Sequence, residues 1–315
     1  MIEIQHLTKR YGGKPAVNDI SFTIRPGEIL GFLGRNGAGK TTTMNMITGY
    51  ISATSGSIKL DGYDILDDPR EVKRRIGYLP EMPPLYMDMT VNEYLRFVCA
   101  IKDVRRSRVA AHLDDITGLI GLGEVRKRLI RNLSKGYRQR VGMAQALVGN
   151  PEVVILDEPT VGLDPGQILE VRKMIRQLGK DHTIVLSSHI LPEVADVCDR
   201  LVIIHEGKIV AEDTLAHLTH SDADTRTVQL RIAGPEEKVL EALKATSGVR
   251  RVDRVGSREA DTCDYLLHAD GNADVRRAVF CRMAELGFPI LIQKPTDLEL
   301  EDVFLRLTGG SSEEA

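Results

Sequence analysis

The chain has 315 residues, 42% of them apolar and 28% charged, with a formal net charge of −3. That length fits about two domains with ordinary packed cores. The slightly acidic balance excludes bulk attraction to nucleic acid or anionic lipid, and four scattered cysteines without a C-x-x-C pair give no zinc or redox motif.

The first stretch, MIEIQHLTKRYGG, is charged and strand-like, unlike a signal peptide. No run of about 18 apolar residues occurs, so no membrane span is predicted. Residues 2–4 and 20–24 alternate as strands do, and 28–33 read as a buried strand. A glycine-rich turn follows, then a helix over 40–48. Residues 91–148 read mainly as helix, with Tyr94, Leu95, Val98 and Ile101 at 3–4 spacing. The runs 153–156 and 183–186 read as buried parallel strands. Each ends in polar residues, at the sheet edge where open α/β sheets bind ligands. Residues 201–204 and 208–211 form a hairpin around Glu206-Gly207.

Residues 219–224 read as a linker. Beyond it the predicted order is strand (228–232), helix (236–246), strand (249–255), strand (265–268), helix (273–286) and strand (289–293). That βαββαβ order is the ferredoxin-like α+β arrangement. A last helix is expected over 299–307 and a disordered tail over 309–315. The expected domains are 1–220, with a helical part at about 85–150, and 221–308.

Gly34-Arg35-Asn36-Gly37-Ala38-Gly39-Lys40-Thr41 fits G-x-x-x-x-G-K-[ST], the P-loop (Walker A) pattern. Backbone N–H groups must converge on phosphate oxygens there, so side chains at the glycines would obstruct. The helix that follows offers its positive dipole end. Lys40 is expected to reach the β- and γ-phosphates of ATP and Thr41 to hold Mg²⁺. Thr42 completes the nucleotide-binding run.

Val153-Val154-Ile155-Leu156-Asp157-Glu158 is an apolar strand ending in two acids. Asp157 fits a Mg²⁺ ligand (Walker B), and Glu158 is placed to orient or deprotonate an attacking water. His189 stands just past the 183–186 strand and is expected at the γ-phosphate. Together these features describe an α/β P-loop ATPase.

Leu133-Ser134-Lys135-Gly136-Tyr137 resembles the LSGGQ signature of ATP-binding-cassette (ABC) proteins. Lys135 and Tyr137 depart from that pattern, while Ser134 and Gly136, the expected phosphate contacts, are kept. Tyr11 resembles the aromatic that stacks on adenine, Gly162-Leu163-Asp164-Pro165 the D-loop at the dimer interface, and Ser187-Ser188-His189 the H-switch. The resemblance covers residues 1 to about 220. It implies two ATPase subunits packed head to tail with ATP between them, each nucleotide lying between one P-loop and the other copy's Ser134.

The ending Leu300-Glu301-Asp302-Val303-Phe304-Leu305 and the stretch GYLPEMPPLY (77–86) resemble ABC-2-type export ATPases. This resemblance implies separate ABC-2-type membrane permease subunits as partners, no nucleic acid, and a cytoplasmic place on the inner face of the membrane. In the family a glutamine contacts Mg²⁺ where Glu81 stands, so Glu81 is expected to be linked to the metal; a plain loop acid is the alternative. Met82, Leu85, Tyr86 and Met87 offer an adaptable apolar surface for a membrane partner. A soluble ABC ATPase acting on ribosomes or nucleic acid remains the rival reading.

Overall fold

The structure is a computed structural model that describes residues 1–214, 217, 227–257, 259, 261–270 and 274–296. The chain divides into two units, Met1–Leu215 and Ala216–Ala315. In chain order the first unit runs β1 (Ile2–Tyr11), β2 (Lys14–Ile24), β3 (Ile29–Leu33), α1 (Lys40–Ile47), β4 (Ser55–Leu60), β5 (Tyr63–Asp64), α2 (Pro69–Arg75) and β6 (Ile76–Leu79). It continues with α3 (Val91–Ile101), α4 (Val109–Leu119), α5 (Lys135–Leu147), β7 (Val153–Asp157), α6 (Pro165–Leu178), β8 (Thr183–Ser188), α7 (Leu191–Ala195), β9 (Arg200–His205) and β10 (Lys208–Asp213).

Two sheets organise this unit. One is antiparallel, in the order β2-β1-β4-β5; the other has the order β10-β9-β3-β8-β7-β6. Within the second, β3 pairs in parallel with β8 and β9, and β7 with β6 and β8, while edge strand β10 is antiparallel to β9. Every residue of β3, β7 and β8 is buried. Strands covered on both faces need continuous apolar runs, which is why these three lack alternation. Because these strands are parallel, their carboxyl ends meet at one edge. The register sets Asp157 opposite Ser187 and Leu33 opposite Ser188.

The segment read mainly as helix over 91–148 breaks into α3, α4 and α5. The breaks come where the backbone turns left-handed, at Asp103 (φ 55°) and Gly121 (φ 71°), because a right-handed helix cannot continue through such residues. Thr90 and Glu93 form a capping box that starts α3. Buried Tyr94, Leu95 and Val98 then face inward, and each fully buried aliphatic side chain contributes about 1.5–3 kcal/mol.

The second unit runs β11 (Thr227–Ala233), α8 (Glu236–Lys244), β12 (Val249–Gly256), β13 (Thr262–Ala269), α9 (Arg276–Glu285) and β14 (Ile290–Thr296). Its sheet has the order β12-β13-β11-β14, all antiparallel. Val228, Leu230, Ile232, Tyr265 and Leu267 pack with Val239, Leu243, Val279 and Met283. The expected linker (219–224), last helix (299–307) and tail (309–315) lie outside the described residues. Among the described residues no helix is long and apolar enough to cross a membrane.

Candidate nucleotide site

The loop Gly34–Thr41 joins the end of β3 to the start of α1. Gly39 has φ 112°, and a Cβ there would stand 2.6 Å from the Ala16 carbonyl oxygen, so both the turn and the hairpin behind it demand glycine. Arg35, Asn36 and Gly37 are exposed; Ala38, Gly39 and Lys40 are buried. The Gly34 N–H donates to the Ser188 carbonyl at 3.3 Å, which fixes the loop to the end of β8.

Lys40 Nζ donates to the Gly34 carbonyl at 2.7 Å and the Arg35 carbonyl at 3.4 Å, and lies 3.2 Å from Glu158 Oε1. The other oxygen, Glu158 Oε2, is 2.9 Å from His189 Nδ1. Glu158 therefore bridges the P-loop lysine and the histidine, and its side chain is only 6% exposed. Its backbone has φ 48°, a left-handed conformation that costs about 1–3 kcal/mol for a residue with a side chain. The turn is held by its N–H, which donates to the carbonyl and hydroxyl of Ser187 at 3.2 and 3.1 Å.

Asp157 is fully buried. Its Oδ1 accepts from the Ser187 hydroxyl, while Oδ2 has no hydrogen-bond partner. Burial pushes its carboxyl above the ordinary range; the hydroxyls of Ser187 and Thr41 oppose that shift, and the carboxylates of Glu158 and Glu81 add to it. A buried carboxylate oxygen without a donor is the feature here that suits a divalent cation; among the described residues no three Asp, Glu, His or Cys side chains cluster to hold one. Thr41, Glu81 and Asp157 are among the residues that line a groove of about 1360 Å³. The same groove is lined by Tyr78, Met82, Tyr86, Tyr94, Phe97 and Ile101.

The remaining expected residues fall elsewhere. Tyr11 is 57% exposed at the end of β1, and the Lys9 ammonium lies 5.3 Å from its ring centroid. Thr42 is half-buried in the first turn of α1. Ser134 is the exposed N-cap of α5, its hydroxyl accepting from the Tyr137 N–H at 3.3 Å. Gly136 is buried because the Gln167 amide occupies the place of a Cβ. Asp164 is the exposed N-cap of α6, accepting from the Gln167 N–H at 3.0 Å. Among the described residues no hydrogen bond or ion pair joins Ser134 or Gly136 to the P-loop or to Glu158.

Residues 17–161 match the ABC transporter family. The bacitracin transport ATP-binding protein of Bacillus licheniformis is 35% identical over 320 residues, covering 99% of this chain and 98% of that protein. The chain belongs to the ATP-binding proteins of ABC transporters. A lantibiotic transport ATP-binding protein of Streptococcus pyogenes is 39% identical over 213 residues, covering 67% of this chain and 90% of that protein. A solved ATP-binding subunit of an ABC transporter superposes with a TM-score of 0.65 at 30% identity, covering 70% of this chain and 93% of that one. This ABC ATPase binds and hydrolyses ATP.

The sequence reading of the ABC ATPase missed several polar partners. The H-switch resemblance names Ser187 but gives it no partner; in the structure its hydroxyl donates to Asp157. Tyr78 donates to Asn45 Oδ1 at 3.1 Å and links β6 to α1. Glu193 is buried against Thr160 and Ser188. The available signal for Glu193 is weak: it is one of two acids, with Asp196, within the otherwise apolar stretch Leu191–Val197.

Proposed function

We propose that the chain is the ATP-hydrolysing subunit of an ABC-2-type exporter, paired with a second ATPase copy and with separate membrane-spanning permease subunits. The observation that carries the ATPase chemistry is Glu158 held between Lys40 and His189, beside buried Asp157. Each ATP lies between the P-loop, Gly34–Thr42, of one copy and Ser134 and Gly136 of the other, with Tyr11 at the adenine and Asp164 in the contact between copies. The absence of a link from Ser134 to its own P-loop, among the described residues, suits action on the other copy's nucleotide. Glu158 orients the water in line with the γ-phosphate. Lys40 and His189 stabilise charge developing on the transferred phosphoryl group.

Thr41 and Asp157, with Glu81 in the same lining, would hold Mg²⁺, which supplies charge neutralisation at the phosphate oxygens. The partnerless Asp157 Oδ2 supports this assignment. Glu81 keeps an acceptor where a glutamine would add donors, so it serves metal binding rather than donation to a phosphate.

The groove supports a membrane partner. Met82 is 85% and Ile101 64% exposed, and Tyr86 and Phe97 are exposed beside them. Clustered apolar exposure of this kind marks an interaction surface. A permease segment seated there places the ATPase on the inner face of the membrane. The second unit, with its βαββαβ order and β12-β13-β11-β14 sheet, is read as a ferredoxin-like module that stabilises or regulates the ATPase pair. The soluble-factor alternative is weaker, because the bacitracin and lantibiotic relatives are both transport proteins.

Fractionation tests the reading. A transporter subunit co-purifies from membranes with a hydrophobic multi-span chain, and identification of that chain gives the permease. An ATPase recovered only from soluble fractions, bound to ribosomes or nucleic acid, refutes it.

A further inference from the structure

Glu193 is a buried acid that the mechanism above does not use. It is 6% exposed, and among the described residues it forms no ion pair. Its Oε2 accepts from the Thr160 hydroxyl and, at 3.3 Å, from the Ser188 hydroxyl. Thr160 and Ser188 are themselves buried. The Ser188 hydroxyl in turn accepts from the Ile190 N–H at 3.0 Å, so it straddles His189.

Thr160 lies in the turn that carries both Glu158 and Asp164. Its carbonyl accepts from the Leu163 N–H at 3.1 Å, and the Glu158 carbonyl accepts from the Val161 N–H at 3.2 Å. One carboxylate oxygen therefore ties the 158–164 turn to the segment 188–190. A carboxylate only accepts, so both hydroxyls must point their protons at it. Such charge-assisted bonds are stronger than neutral ones.

We propose that Glu193 is a positioning residue that makes the Glu158–His189 contact depend on the placement of the 158–164 turn, so that a second copy meeting Asp164 aligns the two groups for hydrolysis. This rests on the two-copy reading above and names a regulation of that same site. Plain anchoring of α7 is the competing role.

The test uses the full chain. Glu193→Gln keeps shape but gives up the charge. It should lower kcat by about 10- to 100-fold, the scale of a roughly 1 Å misplacement, with KM for ATP changed by less than about twofold. Thr160→Val should do the same, Thr160→Ser should restore the rate, and the Glu193→Gln/Thr160→Val double variant should lose no more than either alone. A Glu193→Gln chain with wild-type kcat and only a lowered Tm overturns the proposal in favour of anchoring. Additive losses in the double variant overturn it too. Wild-type turnover per copy that stays unchanged on dilution to the point where light scattering shows only monomer sinks the two-copy reading, and this inference with it. Cooperative wild-type turnover with an unaffected Glu193→Gln chain sinks the inference alone.

Discussion

Lys40 and Glu158 form a buried ion pair, with Nζ 3.2 Å from Oε1 and both side chains 6% exposed. A γ-phosphate reaching Lys40 competes with Glu158 for the same ammonium. On the function proposed above, nucleotide binding would release Glu158 from the lysine and free it to act on water.

Glu158→Gln would remove the proposed base and the competing charge together. Turnover should fall by about 10²–10⁴-fold, the usual share of a general base, while ATP affinity holds or rises. ATP should then trap the chain as a dimer, visible by light scattering. Near wild-type turnover would take Glu158 out of the mechanism.

Lys40→Ala has the opposite effect on binding. A hydrogen bond to a charged group contributes about 1.5–3 kcal/mol, so ATP affinity by calorimetry should fall by about 10- to 100-fold. The variant also leaves Glu158 buried without its cation, which should lower Tm.

Asp157→Asn keeps the shape of the side chain but gives up its charge. Metal titration of the ATPase rate should shift to much higher Mg²⁺, and chelation should abolish the wild-type rate. An unchanged metal requirement in Asp157→Asn would move the ion elsewhere. Glu81→Gln should alter metal preference or partner-stimulated turnover while leaving ATP affinity in place.

The aromatic wall of the groove sets Tyr86 against Tyr94 and Phe97, with ring centroids 6.0 and 5.4 Å apart. Replacing Phe97 or Met82 by Asp should leave the isolated chain's ATPase rate in place and cost the permease contact about 2 kcal/mol or more, as at other interface hot spots. Co-purification with the membrane subunit reads this directly; full retention points to another docking face.

Glu93 offers a pH test. The N–H and hydroxyl of Thr90 both donate to it at 2.8 Å, and these bonds hold its carboxyl below the usual range. The resulting stability is fully present above the unfolded-state pKa and is lost as pH falls through the lowered folded pKa. The Tm difference between wild type and Glu93→Ala should therefore shrink on acidification. A difference that stays constant down to pH below the carboxylate range would remove the charge from the capping box.

Much of the candidate site is legible in the sequence alone. The P-loop needs its glycines and Lys40 in a local order, and the acids after Leu156 end an apolar run. Such signals survive in one dimension because turn geometry and strand patterning act over a few residues. The helical segment is less legible: periodicity marks its buried face at Tyr94, Leu95 and Val98 but not at Ile101, which is exposed at the end of α3, and the turns at Asp103 and Gly121 that split it are single left-handed residues. Tyr11 was named from resemblance alone, and it stands exposed with a lysine beside its ring.

The sequence by itself determined which chemical groups this ATPase carries and in what order. Only the tertiary structure decided which of them touch. Parallel register places Asp157 opposite Ser187, and the turn at Glu158 swings its carboxylate between Lys40 and His189. It also brings Thr160 and Ser188 onto Glu193. Apart from the local Ser188–Glu193 bond, those contacts join segments distant along the chain, and they depend on strand order and burial rather than on any local preference of the residues involved.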